Sequence, residues 1–294
     1  MIRVGPAGWS YEDWEGIVYP SKKGSKFDPL IYLSEFFDTI ELNNTFYRTP
    51  APQMSKGWVK RTQSNPLFSF TAKLYRNFTH EREALTDADE ANFKNGMAPL
   101  MESQRLGALL VQFPYSFHYG ETNLQYLQGL AEKFKDYPLV LEVRHASWDR
   151  ASAYQFLRDN RIGFCNIDQP QVSYSLGATK KVTSPTGYLR LHGRNVKDWF
   201  REGAGRDARY DYIYNEFELF EISERIKQIA KEAQEVFVIT NNHYRGQAIC
   251  NALELKAKLE ARKIKIPDSL LLHYPRLQEI QEEKNQIKRE GSLL

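Results

Sequence analysis

Apolar and polar positions alternate along eight short segments of the chain, and helix-like segments separate most of them. The strand-like segments begin near Ile2, Asp38, Leu67, Arg105, Pro138, Ile162, Gly187 and Glu235. Between them, residues 28–37, 123–134 and 213–233 carry apolar side chains at helical spacing. Strands that alternate with crossover helices form parallel sheets. The pattern therefore predicts an α/β fold.

The segment 139–148, with the sequence LVLEVRHASW, changes character along its length. Val140, Glu142 and Arg144 share one face, because side chains alternate along a strand with a period of two. The opposite face stays apolar, whereas this face becomes charged toward the carboxyl end. Strands of a parallel barrel have this pattern, since helices cover their outer face and their last inward residues reach a pocket.

The same change recurs in other segments, which predicts a single (β/α)8 TIM barrel with a polar mouth. On strand six, the parity places Phe164, Asn166 and Asp168 inward, against Cys165 and Ile167 outward. From all strands together, the residues expected around the mouth are Glu41, Asn43, Lys73, Gln112, Glu142, Arg144, Asp168, Arg190, His192, Asn241 and Asn242. Barrel enzymes place their chemistry at this carboxyl-terminal rim.

Two segments interrupt the regular pattern. Residues 169–186 are rich in turn formers and have no helical period, so we expect the sixth crossover helix to be missing or irregular. Residues 276–294 are charged, and we expect a peripheral helical tail there, outside a barrel domain of residues 1–275. No linker rich in Pro, Gly or Ser divides the chain, which favours one barrel over two domains.

Composition adds little that is specific to function. The 294 residues carry a net charge of +3, which neither requires nor excludes a nucleic acid partner. Cys165 and Cys250 lie far apart in apolar surroundings, as expected for buried thiols in a reducing compartment. We expect no membrane partner and a cytoplasmic location, because neither a signal peptide pattern nor a long apolar run is present. Nothing in the sequence indicates an oligomeric state.

Several segments resemble the YecE-like family, which is also known as domain of unknown function number 72. These are VGPAGWSYEDW (4–14), IELNNTFYRTP (40–50), FTAKLYRNFTH (70–80), LVQFPYSF (110–117), LEVRHASW (141–148), YLRLHGR (188–194) and VITNNHYRGQA (238–248). They occur in the family's order from residue 4 to about 275. The resemblance implies a TIM barrel, and it implies no reaction, since the family has no settled activity.

The mouth residues suit acid–base catalysis on a small molecule that carries a phosphate or carboxylate. We expect His192 or Lys73 to carry the proton, with Glu142, Glu41 and Asp168 as orienting or basic carboxylates. Arg144 and Arg190 are the expected anion clamps, aided by the amides of Asn43, Gln112, Asn241 and Asn242. An alternative for Lys73 is an ion pair with Glu41 or Glu142, and a further one is a Schiff base with a carbonyl substrate. Hydrolase, lyase and isomerase chemistry stay open.

Other kinds of site receive less support from the sequence. We expect no metal or other cofactor, although Glu41, Glu142, Asp168 and His192 offer a less favoured site for a divalent ion. No HExxH, CxxC, GxSxG, Walker or GxGxxG motif occurs. A glycosidase with paired carboxylates is conceivable, but the three cations suit an anionic ligand better than a neutral sugar.

Loops at the rim supply the remaining candidates. Trp14 is an aromatic residue available for stacking, and Arg245 is expected in the first turn of a helix whose N-terminus favours an anion. Residues 194–212 mix charged and aromatic side chains and are interpreted as a movable lid. The same composition offers a second hypothesis, binding or processing of nucleic acid. A third is a ligand sensor or scaffold without turnover.

Overall fold

Eight parallel strands form one sheet that closes on itself. The computed structural model describes residues 1–172, 174–199, 201, 203 and 205–283. Its strands are β1 (Ile2–Pro6), β2 (Thr39–Leu42), β3 (Ser69–Lys73), β4 (Leu106–Gln112), β5 (Leu139–Glu142), β6 (Gly163–Asp168), β7 (Thr186–Leu191) and β8 (Glu235–Thr240). They pair in the order β1-β8-β7-β6-β5-β4-β3-β2, and Ala7 bridges Glu41 in parallel between β1 and β2. The predicted TIM barrel is confirmed.

Helices surround the barrel and connect its strands. The α-helices are α1 (Pro29–Ser34), α2 (Asn44–Tyr47), α3 (Pro52–Arg61), α4 (Asp87–Glu102), α5 (Glu121–Lys133), α6 (Ala151–Asp159), α7 (Val196–Trp199), α8 (Arg206–Arg209), α9 (Glu216–Glu232), α10 (Gln247–Glu260) and α11 (Asp268–His273). Short 3₁₀ helices cover Glu12–Trp14, Arg76–Phe78, Arg82–Ala84, Ala146–Trp148, Tyr244–Gly246 and Pro275–Ile280.

Side-chain caps determine where some of the helices begin. At α9, the Asn215 side chain accepts a hydrogen bond from the Glu218 amide at 2.9 Å, and the Glu218 carboxylate accepts one from the Asn215 amide at 3.0 Å. This capping box satisfies amides that have no partner within the helix. Each such cap contributes about 1 kcal/mol to helix stability. The apolar face of α9 then packs on the barrel through buried Leu219 and Ile226.

A loop takes the place of a helix between β6 and β7, as the sequence predicted: the described residues of this connection contain no helix. Leu176 instead returns to the end of β5, where its amide donates to the Arg144 carbonyl at 2.7 Å. Farther along, the Thr179 hydroxyl and the Lys181 amide donate to the Asn166 side-chain oxygen at 2.9 and 2.7 Å. The loop therefore covers the outside of β6 with polar groups.

Three further predictions concern the whole chain. Within the described ranges, no helix has both the length and the apolar character needed to cross a membrane. Both cysteines are free and buried, as expected. The predicted tail starts in the 3₁₀ helix Pro275–Ile280, and its residues 284–294 lie outside the described residues. The domain boundary at residue 275 and the cytoplasmic location stay predictions.

Candidate functional site

A buried guanidinium lies at the centre of the barrel, near the carboxyl ends of the strands. Arg190 of β7 donates to Glu142 at 2.5 Å through one terminal nitrogen and to Glu41 at 2.8 Å through the other. All three side chains have an exposed fraction of 0%. The Tyr188 hydroxyl lies 2.9 Å from both Glu41 Oε2 and Thr71 Oγ1. Arg190 is therefore unavailable as the predicted anion clamp, because two carboxylates already hold it.

Ion pairing outweighs burial in determining the charge states of Glu142 and Arg190. Burial alone favours the neutral acid, but Arg190 and Arg144 hold the pKa of Glu142 well below its usual range. Burial likewise works against the charge of Arg190, yet Glu142 and Glu41 raise its pKa well above the ordinary value. Glu142 thus stays ionised at neutral pH and has no proton to donate.

Arg144 stands at the edge of the same group, just after β5. It donates to Glu142 at 2.9 Å and approaches the Gln169 side-chain oxygen at 3.4 Å. Its guanidinium also lies 5.4 Å from the centre of the Trp199 ring. With 13% of its side chain exposed, it keeps one edge toward the mouth. We call Glu41, Glu142, Arg144 and Arg190 the inner cluster.

Lys73 ends β3 beside the inner cluster. Its ammonium group makes no salt bridge and no hydrogen bond with any residue that the structure describes, and it lies 5.5 Å from the centre of the Phe46 ring. Burial, reinforced by Arg190, lowers the pKa of Lys73 to about 8, while Glu41 and Glu142 act in the opposite direction. The alternative of an ion pair between Lys73 and either glutamate is wrong, because Arg190 occupies both carboxylates.

Amide oxygens without a donor flank Lys73 on the neighbouring strands. Asn43 follows β2, Gln112 ends β4, and the register aligns Lys73 with Leu110. The side-chain oxygens of Asn43 and Gln112 are buried and accept no hydrogen bond from the described residues. A buried acceptor left in this state costs about 1–3 kcal/mol, so water or a ligand is expected to supply the missing donor.

His192 follows β7 and is fully buried above Arg190. Its Nδ1 lies 3.0 Å from the Asn241 amide nitrogen, and its Nε2 lies 3.4 Å from Glu142 without a hydrogen bond. Burial and the charge of Arg144 lower the pKa of His192 to about 3. Its imidazole is therefore neutral at pH 7. Of the two predicted proton carriers, only Lys73 titrates near neutrality.

His80 also lies near this mouth, although sequence analysis does not single it out. Burial, together with the charges of Lys73 and Arg144, lowers the pKa of His80 to about 4. Its ring meets the Phe46 ring edge-on at 5.0 Å, the same ring that faces Lys73. His80 follows a 3₁₀ turn in the loop after β3 and lies outside any periodic apolar pattern. Its position in the loop after a barrel strand is therefore the signal that could have identified it.

Strand β6 turns its polar side chains away from the lumen, which corrects the predicted parity. The register aligns Cys165 with Tyr188 and Ile167 with Arg190, and both β7 residues point inward. Neighbours in a parallel register share a face. Cys165 and Ile167 therefore point inward, whereas Asn166 and Asp168 point outward. The prediction that Asp168 belongs to the mouth is wrong.

Asp168 is the centre of a second charged group, outside the barrel. Arg194 binds both of its oxygens at 2.8 and 2.9 Å, Arg225 of α9 donates at 3.0 Å, and the Tyr214 hydroxyl donates at 3.0 Å. Despite burial, which acts in the opposite direction, Arg194 and Arg225 keep the pKa of Asp168 below its ordinary value. We call Asp168, Arg194, Tyr214 and Arg225 the outer cluster. It joins β6 to α9.

Three other candidates also lie away from the mouth. Asn242 faces outward and donates to Tyr212 and Asn251, because it follows Asn241 and takes the opposite parity. Trp14 is fully buried and donates to the His243 carbonyl at 2.8 Å, so it anchors its loop. Arg245 is exposed and precedes α10, with a φ of 50°, and its amide donates to Asp13.

The predicted lid contributes aromatic side chains to the mouth. The Trp199 and Tyr210 rings lie 6.0 and 6.4 Å from His192. Asn195 fixes this loop by donating to the Ala208 carbonyl at 2.9 Å. Both rings thus cover His192, and no contact of theirs favours the nucleic acid hypothesis. Movement of the lid stays a prediction.

The four residues considered for a divalent metal are not brought together, since Asp168 points outward and Arg190 holds both glutamates. Among the described residues, no three His, Cys, Asp or Glu side chains are arranged to hold a metal ion.

Known proteins resemble this chain over nearly all of its length. Residues 3–273 match the family described as "Protein of unknown function DUF72". The UPF0759 protein YunF of Bacillus subtilis (strain 168) is 30% identical over 274 residues, which cover 88% of this chain and 95% of its own. A solved DUF72 family protein from Thermotoga maritima MSB8 has a TM-score of 0.77 and 36% identity, over 88% of this chain and 99% of its own. Another, from Enterococcus faecalis V583, has a TM-score of 0.78 and 31% identity, over 88% of this chain and 96% of its own.

Proposed function

This chain belongs to the DUF72 family, as the YecE-like resemblance implied, and from the geometry of its mouth we propose that it is an enzyme that performs acid–base chemistry on a small anionic metabolite. The proton carrier is Lys73, and the anion is held at the exposed edge of Arg144. The single observation that carries this proposal is the unpaired ammonium of Lys73 beside an inner cluster in which every carboxylate is already bound to Arg190.

The charge balance of the mouth supports an anionic ligand. Arg190, Arg144 and protonated Lys73 stand against the two carboxylates Glu41 and Glu142, so one positive charge is left uncompensated. An anionic group that approaches Arg144 and Lys73 would neutralise it. Arg144 suits this role because its guanidinium can still offer N–H groups to a planar carboxylate or to a phosphate.

The pKa of Lys73 suits proton transfer near neutral pH. A group is most effective as a general acid or base when its pKa is close to the working pH. With a pKa of about 8, Lys73 is divided between its amine and ammonium forms in that range. Glu142 and His192 complement it: the first remains an anion, and the second remains a neutral imidazole.

Trace acetylation tests both the lowered pKa of Lys73 and the binding of an anion beside it. The full chain is treated with a small amount of acetic anhydride between pH 6 and 11, and mass spectrometry follows Lys73 and the exposed Lys135 in the same sample. We expect half-maximal labelling of Lys73 near pH 8, and we expect citrate or inorganic phosphate to slow it at Lys73 but not at Lys135. Labelling of Lys73 that rises only near pH 10.5, or that no anion slows, would contradict the proposal.

The matched control is Arg144→Gln. This variant should lose the protection by citrate and phosphate, while Lys73 keeps a lowered pKa because burial and Arg190 still act on it. If protection persisted in Arg144→Gln, the anion would be held elsewhere.

Turnover separates an enzyme from a ligand sensor. A panel of small carboxylates and phosphates is incubated with the protein in deuterated water, and NMR records exchange of their carbon-bound protons. An enzyme of this kind should catalyse exchange that Lys73→Met abolishes. A sensor should still bind the protecting anion without exchanging any proton of the panel.

A further inference from the structure

We propose that Lys73 bonds covalently to its substrate, and that this substrate is a small oxo acid, carrying a carbonyl group together with a carboxylate or phosphate. This inference rests on the proposed function and deepens it. The amine would attack the carbonyl carbon to form a protonated imine, while Arg144 holds the anionic end.

The first observation is the freedom of the Lys73 nitrogen. Arg190 is fixed by two carboxylates, and Arg144 is tied to Glu142. Within the described residues, the ammonium of Lys73 has neither a carboxylate nor a hydrogen-bond acceptor to hold it, and it lies over the Phe46 ring. A nucleophile needs its nitrogen free to reach the carbonyl carbon, whereas a structural lysine is held by partners.

The second observation is the pair of buried acceptors beside it. The side-chain oxygens of Asn43 and Gln112, on the strands flanking β3, have no donor among the described residues. Attack of an amine on a carbonyl creates a carbinolamine, which carries a new hydroxyl donor and an N–H donor. The two amide oxygens therefore complement the intermediate rather than the free carbonyl, which has no donor at that carbon.

The third observation is that groups beside Lys73 offset part of the cost of a cation there. Burial and Arg190 lower the pKa of Lys73, but the face of the Phe46 ring and the nearby Glu41 and Glu142 favour a positive charge at this place. A protonated imine carries the same charge as the ammonium that it replaces. Its formation therefore changes the charge of the mouth only by the anion that enters with the substrate.

The reaction is balanced without any added reagent. The ammonium first gives up a proton, and the nitrogen–carbon bond then forms as the carbonyl π bond shifts to oxygen, which takes up a proton from that nitrogen. The resulting hydroxyl takes up the proton that the ammonium released and leaves as water, while the nitrogen lone pair forms the C=N bond. Overall, the ammonium and the carbonyl compound give the protonated imine and one water, so no oxidant, reductant or further proton enters.

Reductive trapping tests this inference. The full chain is incubated at pH 7.5 with sodium cyanoborohydride and one of three probes: pyruvate, dihydroxyacetone phosphate, or acetone, which has no anionic group. Peptide mapping then locates the reduced adduct. We expect pyruvate or the phosphate probe to modify Lys73 about tenfold or more faster than the exposed Lys135, because a lowered pKa leaves more free amine and Arg144 holds the anionic end of the probe. Acetone should show a much smaller preference, because only the free amine favours Lys73 with that probe.

The variants Lys73→Arg and Lys135→Arg form a matched pair. The first should lose the adduct and the second should keep it, and Arg144→Gln should reduce the preference for the anionic probes toward that of acetone. Circular dichroism checks that each variant is folded. If Lys73→Arg did not fold, the position of the adduct in the unaltered chain would still decide the question.

The two proposals fail in different ways. Adducts spread evenly over the surface lysines would overturn the covalent step. If trapping failed while acetylation still reported a Lys73 pKa near 8 and protection by citrate or phosphate, Lys73 would remain a proton carrier and only the oxo acid inference would fall. If acetylation also reported an ordinary lysine, both would fall.

Discussion

The inner and outer clusters are built from the same residue types with opposite arrangements. In the inner cluster, a cation, Arg190, lies between two carboxylates inside the barrel. In the outer cluster, a carboxylate, Asp168, lies between two arginines and a phenol outside it. In the first arrangement, Arg190 binds both of the carboxylates near Lys73, so Lys73 has no carboxylate partner among the described residues. The second satisfies its central group from three directions and leaves no cation free.

This difference distinguishes a cluster suited to chemistry from a cluster that holds segments of the chain together. The outer cluster connects β6, the predicted lid and α9, so its charges hold chain segments together. The inner cluster joins β2, β5 and β7 across the lumen of a sheet that the backbone ladder already holds together, and it faces a mouth with unsatisfied acceptors. A list of charged residues at strand ends does not distinguish these roles, whereas the face on which each residue lies does.

Replacement of Arg190 by methionine should have the strongest effect. Glu41 and Glu142 would then be buried together without their shared cation, so we expect a loss of about 4 kcal/mol in the free energy of unfolding. Lys73 would lose a repulsive neighbour, and the charges of Glu41 and Glu142 would no longer be offset by Arg190, so the pKa of Lys73 should rise toward 10.5. Urea unfolding measures the first effect and trace acetylation the second. An unchanged pKa of Lys73 would contradict the proposed coupling.

Replacement of Asp168 by asparagine should destabilise the chain by about 3 kcal/mol at pH 7, because the partly buried Arg194 and Arg225 lose the buried carboxylate that they share. The pKa of Asp168 is lower in the folded chain than its ordinary value of 3.8. Its contribution is therefore present above pH 3.8 and disappears as the pH falls through the folded-state value. The difference between the two chains in urea unfolding should shrink below about pH 4. Acetylation of Lys73 should not change, and a change would connect the two clusters.

Replacement of Lys73 by methionine should stabilise the protein by about 2 kcal/mol at pH 7, since a desolvated ammonium is removed. The folded-state pKa of about 8 lies below the ordinary 10.5. The penalty is therefore fully present below pH 8 and is relieved as the pH rises to 10.5. Thermal unfolding of both chains should differ at pH 7 and converge at high pH. A destabilised variant at pH 7 would indicate that Lys73 has a partner after all.

Replacement of Asn241 by leucine should have the smallest effect of the four, a loss of about 1 kcal/mol. It removes the hydrogen bond to His192 Nδ1 without removing any charge from the inner cluster. Urea unfolding should detect this loss, and the Asp168 variant should add to it independently because the clusters lie on opposite faces. A loss as large as that of the Arg190 variant would place Asn241 among the residues that hold the inner cluster.

Much of the architecture was accessible from the pattern of apolar and polar positions. Two patterns predict the correct inward-facing side chains: the alternation in segment 67–73 and the change from apolar to charged residues in segment 139–144. Both patterns reflect the burial of a barrel strand on its two faces. The missing sixth helix followed from the turn formers of 169–186. These features depend on local sequence, which explains why they were predictable.

The failures depend on partners far along the chain. The predicted parity of β6 is wrong because the prediction places polar residues toward the lumen, whereas Thr179 and Arg225 bind Asn166 and Asp168 outside the barrel. Trp14 likewise found its acceptor at His243. No local pattern reveals such pairings, because the two partners are brought together only when the barrel closes.

The outer cluster has a consequence for how the family can diverge. Asp168 is bound by residues 26, 46 and 57 positions further along the chain. A change at Arg194 or Arg225 removes one cation from the buried Asp168, and a change at Asp168 removes the carboxylate from both arginines. Single substitutions should therefore be costly even where the reaction is unaffected. Positions 168, 194, 214 and 225 should therefore be replaced together across lineages or not at all. An invariant aspartate at the end of a barrel strand would then reflect the need to keep its ion pairs intact, not a step in catalysis.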